Sequence, residues 1–375
     1  MVDYSELMSE LDELYKNTPK HVDGGILGSM TTWPHRIGVE AFLRFIHVNG
    51  NDPFTFRAVA ECESKLVREV GALFNAEVGL HTSGGTESNI LAVFAARKAA
   101  KGETVIAPST VHKSVDKACD LMNCKLLKIP THPLKPVDLK TLEEYVLKYK
   151  PFLVIITAGT TETGVVDPVE EASELAEKHG FLLHVDAAYG GLLIPFLRKH
   201  GLIKTELKMS SGVTSITVDM HKNGMAPIPS SLLFFNNEEL KEKVCFDMDY
   251  MPSGKSCGLL GTRPGGAVVA AYYTWRAIGL NGYEENALRM MRIAHLLHSE
   301  LKQITGIEVY PFNLPIITFK SRRYSSDLLL NKLAERKLYL YKAPSLNALR
   351  VVIMPHHREE HLYALIKALR ELHQL

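Results

Sequence analysis

The sequence has little cysteine, and none of it at metal-binding spacing. Cys62, Cys119, Cys124, Cys245 and Cys257 make an odd count with no CxxC pair. That argues against a disulfide framework and a zinc site, and it points to a reduced, cytoplasmic location. Cys119 and Cys124 read as two small residues on a helix and the following turn, in preference to half a metal site. Excess charge is missing too. Lysine plus arginine is 43 and aspartate plus glutamate is 42, a net charge of +1. Such a balance gives no electrostatic pull toward nucleic acid or a membrane surface. No run approaches the roughly 18 uncharged apolar residues of a membrane span. The start, Met1 to Lys16, sets Asp3, Glu6, Glu10, Asp12 and Glu13 among Leu7, Leu11 and Leu14. This is the pattern of an amphipathic helix; a signal peptide needs a basic start and an apolar run. There is no low-complexity linker and no repeat of about 20–50 residues.

What is present suits a large globular core: 375 residues, 46% hydrophobic and 23% charged. Length alone suggests two or three domains. Between about residues 75 and 235, short β-branched runs alternate with helical stretches. The expected strands are Thr104–Ala107, Lys125–Ile129, Phe152–Thr157, Phe181–Val185, Thr214–Val218 and Ser231–Phe235. Helical patterns at Glu87–Ala100, Lys113–Met122, Leu139–Tyr149 and Pro168–Lys178 separate them. This alternation predicts an α/β fold with a mainly parallel sheet covered on both faces. Helices are expected at about Gly266–Ile278 and Tyr283–Gln303. The remainder reads as a small α+β domain, with strands at Ile307–Tyr310, Ile316–Lys320, Leu338–Tyr341 and Leu349–Ile353 and helices at Ser326–Glu335 and Arg358–Leu372.

In sheets of this kind ligands bind at the carboxyl ends of the strands. Four segments with chemical potential fall there. Ser83-Gly84-Gly85-Thr86-Glu87-Ser88-Asn89 precedes a helix, where glycine amides and the helix start favour an anion. It is neither a GxxxxGKS/T phosphate loop nor GxGxxG, so nucleotides are poorly supported; a plain capped turn is the competing reading. His184-Val185-Asp186-Ala187-Ala188 closes a buried strand. A carboxylate there is costly unless it meets a cation, such as a protonated heterocyclic nitrogen. A helix-capping aspartate, or a metal pair with His184, are the other readings. Asp219-Met220-His221-Lys222-Asn223-Gly224 also follows a strand. A partly desolvated lysine in that place is a Schiff-base nucleophile, or else an ordinary turn lysine. Ala158-Gly159-Thr160-Thr161 and His112 offer further strand-end groups to line a flat ligand. An anion cradle, a buried aspartate and a lysine 36 residues after it together meet the needs of pyridoxal phosphate.

The sequence resembles the group II pyridoxal-phosphate-dependent amino-acid decarboxylases of fold type I. Within them it is most similar to the archaeal L-tyrosine/L-aspartate decarboxylase subfamily. The resemblance rests on Gly28–Met30, Asn51–Pro53, SGGTESN, AGTTETG, HVDAAYGG followed by Ile194–Phe196, SITVDMHKNG, Leu260–Gly265 and RVVIMPH. It runs from about residue 28 to 356. It implies a fold type I, mainly parallel seven-stranded sheet flanked by helices, plus a small α+β C-terminal domain. An N-terminal segment 1–49, a large cofactor domain 50–285 and a small domain 286–375 are expected. Lys222 is implied to hold pyridoxal 5'-phosphate and Asp186 to pair with its ring nitrogen. His112 is implied to stack on the ring, with Thr161 and Ala188 nearby. Gly84, Gly85, Thr86 and His221 are implied to contact the phosphate, and Thr262 the phosphate of a neighbouring subunit. Arg350 is the candidate for a substrate carboxylate. The implied partners are a free amino acid and a second copy in a homodimer, with no nucleic acid and no membrane. Two positions depart from the family pattern: Met220 replaces the usual proline, and Asn51 replaces a glycine. Arg36, Lys255 and Arg263 are cations available to an aspartate side chain. Trp33, Phe54, Tyr250 and Met251 are apolar groups available to a tyrosine ring. A carbon–carbon lyase of the sphingosine-phosphate type and a non-catalytic binding protein are the alternative readings.

Overall fold

The computed structural model describes residues 3–374, so Met1 and Val2 of the expected N-terminal helix lie outside the described residues, as does Leu375. Helix α1 (Tyr4–Asn17) forms as the apolar spacing predicts, with the Asp3 carboxylate accepting from the Ser5 amide at its start. It buries none of its side chains. Helices α2 (Arg36–Arg44) and α3 (Arg57–Gly71) lead to strand β1 (Val78–Thr82). The alternation then follows: α4 (Gly85–Ala99), β2 (Thr104–Pro108), α5 (Lys113–Leu121), β3 (Lys125–Ile129), α6 (Leu139–Tyr149), β4 (Leu153–Thr157), α7 (Val169–His179), β5 (Leu182–Asp186), α8 (Ile194–Lys199), β6 (Val213–Val218) and β7 (Ser231–Phe235). The six expected strands appear to within one residue at each end.

The seven strands form one sheet in the order β1-β7-β6-β5-β4-β2-β3. Strands β2 to β6 run parallel, while β7 is antiparallel to both its neighbours. Every residue of β4, β6 and β7 is buried. Helices on both faces create that burial, and it explains the near-continuous apolar runs. The register sets Thr157, Asp186 and Thr217 side by side at the strand ends. The functional segments of the sequence therefore converge on one edge of the sheet.

After β7 come α9 (Glu238–Glu242) and a hairpin of β8 (Cys245–Asp247) and β9 (Lys255–Cys257). Cys245 stands directly opposite Cys257, and the two are joined in a disulfide. This corrects the expectation drawn from the cysteine count. An odd count forbids pairing all the cysteines; it does not forbid one pair that a hairpin brings together. Cys62, Cys119 and Cys124 remain free.

Helix α10 (Gly265–Lys302) is one run interrupted at Gly279, whose φ of 63° and ψ of 169° are not helical. It accounts for the two expected helices. The chain ends in β10 (Ile307–Val309), β11 (Ile316–Ser321), α11 (Ser326–Ala334), β12 (Tyr341–Ala343), β13 (Ala348–Val352) and α12 (Glu359–Gln374). Their antiparallel sheet has the order β10-β11-β13-β12. Strand β12 begins three residues later than the apolar pattern suggests. Leu338 and Leu340 are buried, yet the backbone between them meets the N-terminal segment: the amides of Leu27 and Gly28 both donate to the Tyr339 carbonyl at 2.9 Å. That segment is thereby tied to the small sheet.

Candidate active site

A cavity of about 350 Å³ opens at the carboxyl ends of β4, β5 and β6. The loop after β1 brings Gly84 to it, the first turn of α4 brings Gly85 and Thr86, and the residue before α5 brings His112. Thr161 enters from the loop after β4, Asp186 and Ala188 from the end of β5. His221 and Lys222 enter from the turn after β6. Nine of the expected site residues thus share one space, although they span 139 positions of sequence.

Asp186 is buried and held on two sides. Its Oδ1 accepts from the Ala188 amide at 3.1 Å, and its Oδ2 accepts from Asn89 Nδ2 at 2.8 Å. Asn89 is itself buried on α4. Its Nδ2 also donates to Ser114 Oγ, and its Oδ1 accepts from His184 Nε2 and Thr217 Oγ1 at 3.0 Å each. His184 accepts from Ser215 through Nδ1 at 2.8 Å. Burial pushes its pKa down to about 4, so it stays neutral and serves as scaffolding. This excludes the reading of His184 as a metal partner of Asp186, because both its nitrogens are engaged. Ser114 Oγ in turn donates to His112 Nδ1 at 2.9 Å, which orients the imidazole as the cavity wall. One edge of that ring is open to the cavity, yet desolvation holds its pKa below the usual histidine value. Asn89 lies within SGGTESN, where nothing local marks it as functional. Its function depends on partners 25 to 128 residues away, which no local pattern reveals.

The anion cradle is built by α4. No side chain caps its N-terminus at Gly84, so first-turn N–H groups are left for an anion. Glu87 folds back and accepts from the Ser83 amide at 2.7 Å, fixing the loop before the helix. Space beside Gly85 is tight. A Cβ there would lie 3.1 Å from Ala188 Cβ and from both oxygens of Asp219.

Lys222 reaches the cavity from a rigid turn. Met220, two residues before it, is wholly buried, and its amide donates to the Ser230 carbonyl, a bond that proline cannot make. Lys222 Nζ lies 2.8 Å from Oδ2 of Asp219, a buried carboxylate. His221 donates from Nδ1 to the Ser230 carbonyl at 2.6 Å, and its Nε2 stands 3.7 Å from Asp219.

Two of the expected residues lie outside this cavity. Thr262 is exposed on the loop before α10. Arg350, on β13, is buried beside Tyr189, whose ring does line the cavity. Its Nε and Nη1 find no hydrogen-bond partner among the described residues. Two of the three cations available to a substrate side chain are engaged elsewhere. Arg263 is buried and clamped by both oxygens of Glu63, by Asn51 Oδ1 and by the carbonyls of His81 and Gly50. This also explains Asn51, whose side chain receives the guanidinium. Lys255, on the hairpin, pairs with Glu242 of α9. Arg36, Trp33, Phe54, Tyr250 and Met251 do not line the cavity within one chain.

The residues present fit pyridoxal phosphate. The uncapped helix start suits its phosphate, and Asp186 suits a protonated ring nitrogen. Within the cavity region, Asp219 Oδ1 and Thr157 Oγ1 are buried without partners among the described residues, so polar capacity is in hand for a ligand.

Comparison with known proteins agrees. The pyridoxal-dependent decarboxylase conserved domain matches residues 58–322. The chain is 34% identical over 354 residues to a probable L-tyrosine/L-aspartate decarboxylase of Methanothermobacter thermautotrophicus, covering 93% of this chain and 97% of that protein. It is also 34% identical to an L-aspartate decarboxylase of Thermococcus kodakarensis, covering 98% and 96% respectively. Among solved structures, a sphingosine-1-phosphate lyase of Burkholderia pseudomallei superposes with a TM-score of 0.88 at 23% identity, covering 99% of this chain and 90% of that one. A glutamate decarboxylase of Lactobacillus brevis gives 0.85 at 18% identity, with 99% and 92% covered. At those identities the likeness speaks for the fold alone. The domain match and the archaeal relatives go further: the chain belongs to the pyridoxal-dependent decarboxylases, enzymes that remove a carboxyl group from an amino acid with pyridoxal 5'-phosphate as cofactor.

Proposed function

We propose that this enzyme decarboxylates a free L-amino acid, L-aspartate to β-alanine and/or L-tyrosine to tyramine. The observation that carries the reading is the meeting of Lys222, Asp186 and the α4 anion cradle in one cavity. The substrate pair follows the names of the relatives, both of which include L-aspartate. β-Alanine formed in this way would serve coenzyme A synthesis in the cytoplasm. Among the described residues no helix is long and apolar enough to cross a membrane.

Bound pyridoxal phosphate supplies an aldehyde for the substrate amine and a protonated heterocycle that withdraws electrons from Cα. The chain does the rest. First-turn amides of α4, with Thr86 and His221, hold the phosphate. Lys222 Nζ would hold the cofactor through its aldehyde carbon. Asp186 keeps the ring nitrogen protonated, a stabilisation already in place before any bond breaks. His112 covers the ring and Thr161 and Ala188 border it. Arg350, which lies behind Tyr189 and not in the cavity wall, is the proposed partner of the substrate carboxylate. Lys222, once released, returns a proton to Cα.

The proposed division is an N-terminal segment 1–49, a cofactor domain 50–285 and a small domain 286–375. The active unit is a homodimer with sites at the interface. Supporting it, α1 leaves Leu7, Leu11 and Leu14 exposed, and Leu43 on α2 is 60% exposed. Within such a dimer Thr262 reaches the partner's phosphate.

Cofactor-loaded protein incubated with L-aspartate, L-tyrosine, L-glutamate and cysteine sulfinate, with carbon dioxide and amine measured, tests the substrate reading. Release from aspartate or tyrosine above the others is expected; turnover confined to the other two overturns it. Arg350→Met should raise KM about 10- to 100-fold, the scale of a lost charge-assisted bond. Its melting temperature should not fall, because the substitution removes an unpaired buried cation. An unchanged KM would remove Arg350 from substrate binding.

A further inference from the structure

We propose that Asp219 is a positioning residue that holds the nitrogen of Lys222 positively charged, both in the free side chain and after that nitrogen has joined the cofactor. The proposal rests on the preceding reading of Lys222 as the cofactor-bearing residue.

Three buried carboxylates line the cavity with different supports, and Glu87 accepts from the Ser83 amide. Asp186 is served by Asn89 and a backbone amide. Asp219 has its Oδ2 at 2.8 Å from Lys222 Nζ, and its Oδ1 is buried with no partner among the described residues. Its side chain is 1% exposed. A carboxylate so enclosed is costly without a cation. The groups facing it come from every surrounding element. His221 stands at 3.7 Å on its own turn, with His81 beyond it. Glu87 comes from α4, His112 from the start of α5, Asp186 from β5, and the Ser231 hydroxyl from β7. Among the described charged groups only Lys222 is within hydrogen-bond distance. Burial pushes the Asp219 carboxyl upward, but Lys222 and His221 outweigh it and hold its pKa below the ordinary value.

Condensation keeps this pairing intact. The Lys222 ammonium and an aldehyde give a protonated carbon–nitrogen double bond and one water. The carbonyl oxygen leaves with two of the ammonium protons, and the nitrogen is cationic before and after. Losing the last proton would strand Asp219 as a buried, uncompensated charge, so that loss is displaced to higher pH. Asp219 also fixes where Nζ points.

The test is a spectrophotometric pH titration of the cofactor-loaded protein, wild type against Asp219→Asn and Asp219→Glu. Borohydride reduction and peptide mapping locate the attached residue. In Asp219→Asn the long-wavelength band of the protonated form should vanish at a pH about 1–3 units lower, as expected for removing an adjacent opposite charge. Asp219→Glu should recover part of that shift. An unchanged titration in Asp219→Asn overturns the proposal. If Asp219→Asn does not retain cofactor, the pH dependence of Lys222 acylation in the cofactor-free proteins decides. A profile moved to lower pH than wild type supports the proposal, and an identical profile overturns it. Wild-type protein with no label on Lys222 overturns the underlying assignment instead, so the two failures are distinguishable.

Discussion

Lys222→Ala is expected to abolish carbon dioxide release, lowering it on the order of 10⁴-fold or more, as losses of other covalent nucleophiles do. The visible absorption of the bound cofactor should disappear with it. Nζ sits in the cavity with Gly84, Gly85, His112 and Asp186 on the walls, and no other lysine lines that space among the described residues. No neighbour can therefore supply the amine. The alanine variant also leaves Asp219 buried without its cation, a change that costs about 3–5 kcal/mol in comparable pairs. Unfolding is then a second cause of lost activity. Lys222→Arg separates the two effects. Its guanidinium keeps a positive charge opposite Asp219 but does not condense with an aldehyde. It should melt near the wild-type temperature and still lack turnover. Retained turnover and retained absorption in a folded Lys222→Ala protein would end the assignment.

Much of the fold could be read because its central strands are buried on both faces. Strands such as β4, Leu-Val-Ile-Ile-Thr, advertise themselves by composition alone. Strand β1 does not. Its Gly79 and His81 break the apolar run for reasons of tertiary packing. A Cβ at Gly79 would stand 2.8 Å from the Leu233 carbonyl, and His81 is buried against Ser230. The cross-strand disulfide was hidden in the same way, because the pairing of Cys245 with Cys257 depends on the hairpin between them. The site divides along a similar line. Lys222, Asp186 and the Gly84–Gly85 turn were legible because each lies at a strand end or helix start. Asn89 and Asp219 lay inside quoted motifs but gain meaning only from contacts, one with Asp186 and the other with a neighbour on the same turn. Arg263 shows the opposite error. Read locally it is a free cation; in the fold Glu63, 200 residues earlier, neutralises it.

Asp186→Asn should lower kcat about 10²- to 10³-fold, the scale of losing one preorganised electrostatic group, while the cofactor remains attached to Lys222. The substitution keeps the shape and removes the charge proposed to hold the ring nitrogen protonated. It also conflicts with the scaffold. Asn89 now donates to Asp186 Oδ2, and an amide nitrogen placed there would oppose a donor with a donor. Rotating the new side chain instead turns that nitrogen toward the Ala188 amide. Flipping Asn89 would forfeit the bonds its Oδ1 accepts from His184 and Thr217. Each route leaves a buried polar group unmatched, so a loss of about 1–3 kcal/mol in unfolding free energy is expected beside the kinetic loss. Asp186→Glu keeps the charge in a longer side chain and should recover some kcat only if charge is what the ring nitrogen needs. Steady-state rates, borohydride mapping and denaturant unfolding on the same preparations separate these contributions. A folded, cofactor-bearing Asp186→Asn enzyme with wild-type kcat would show that the ring nitrogen does not depend on this carboxylate.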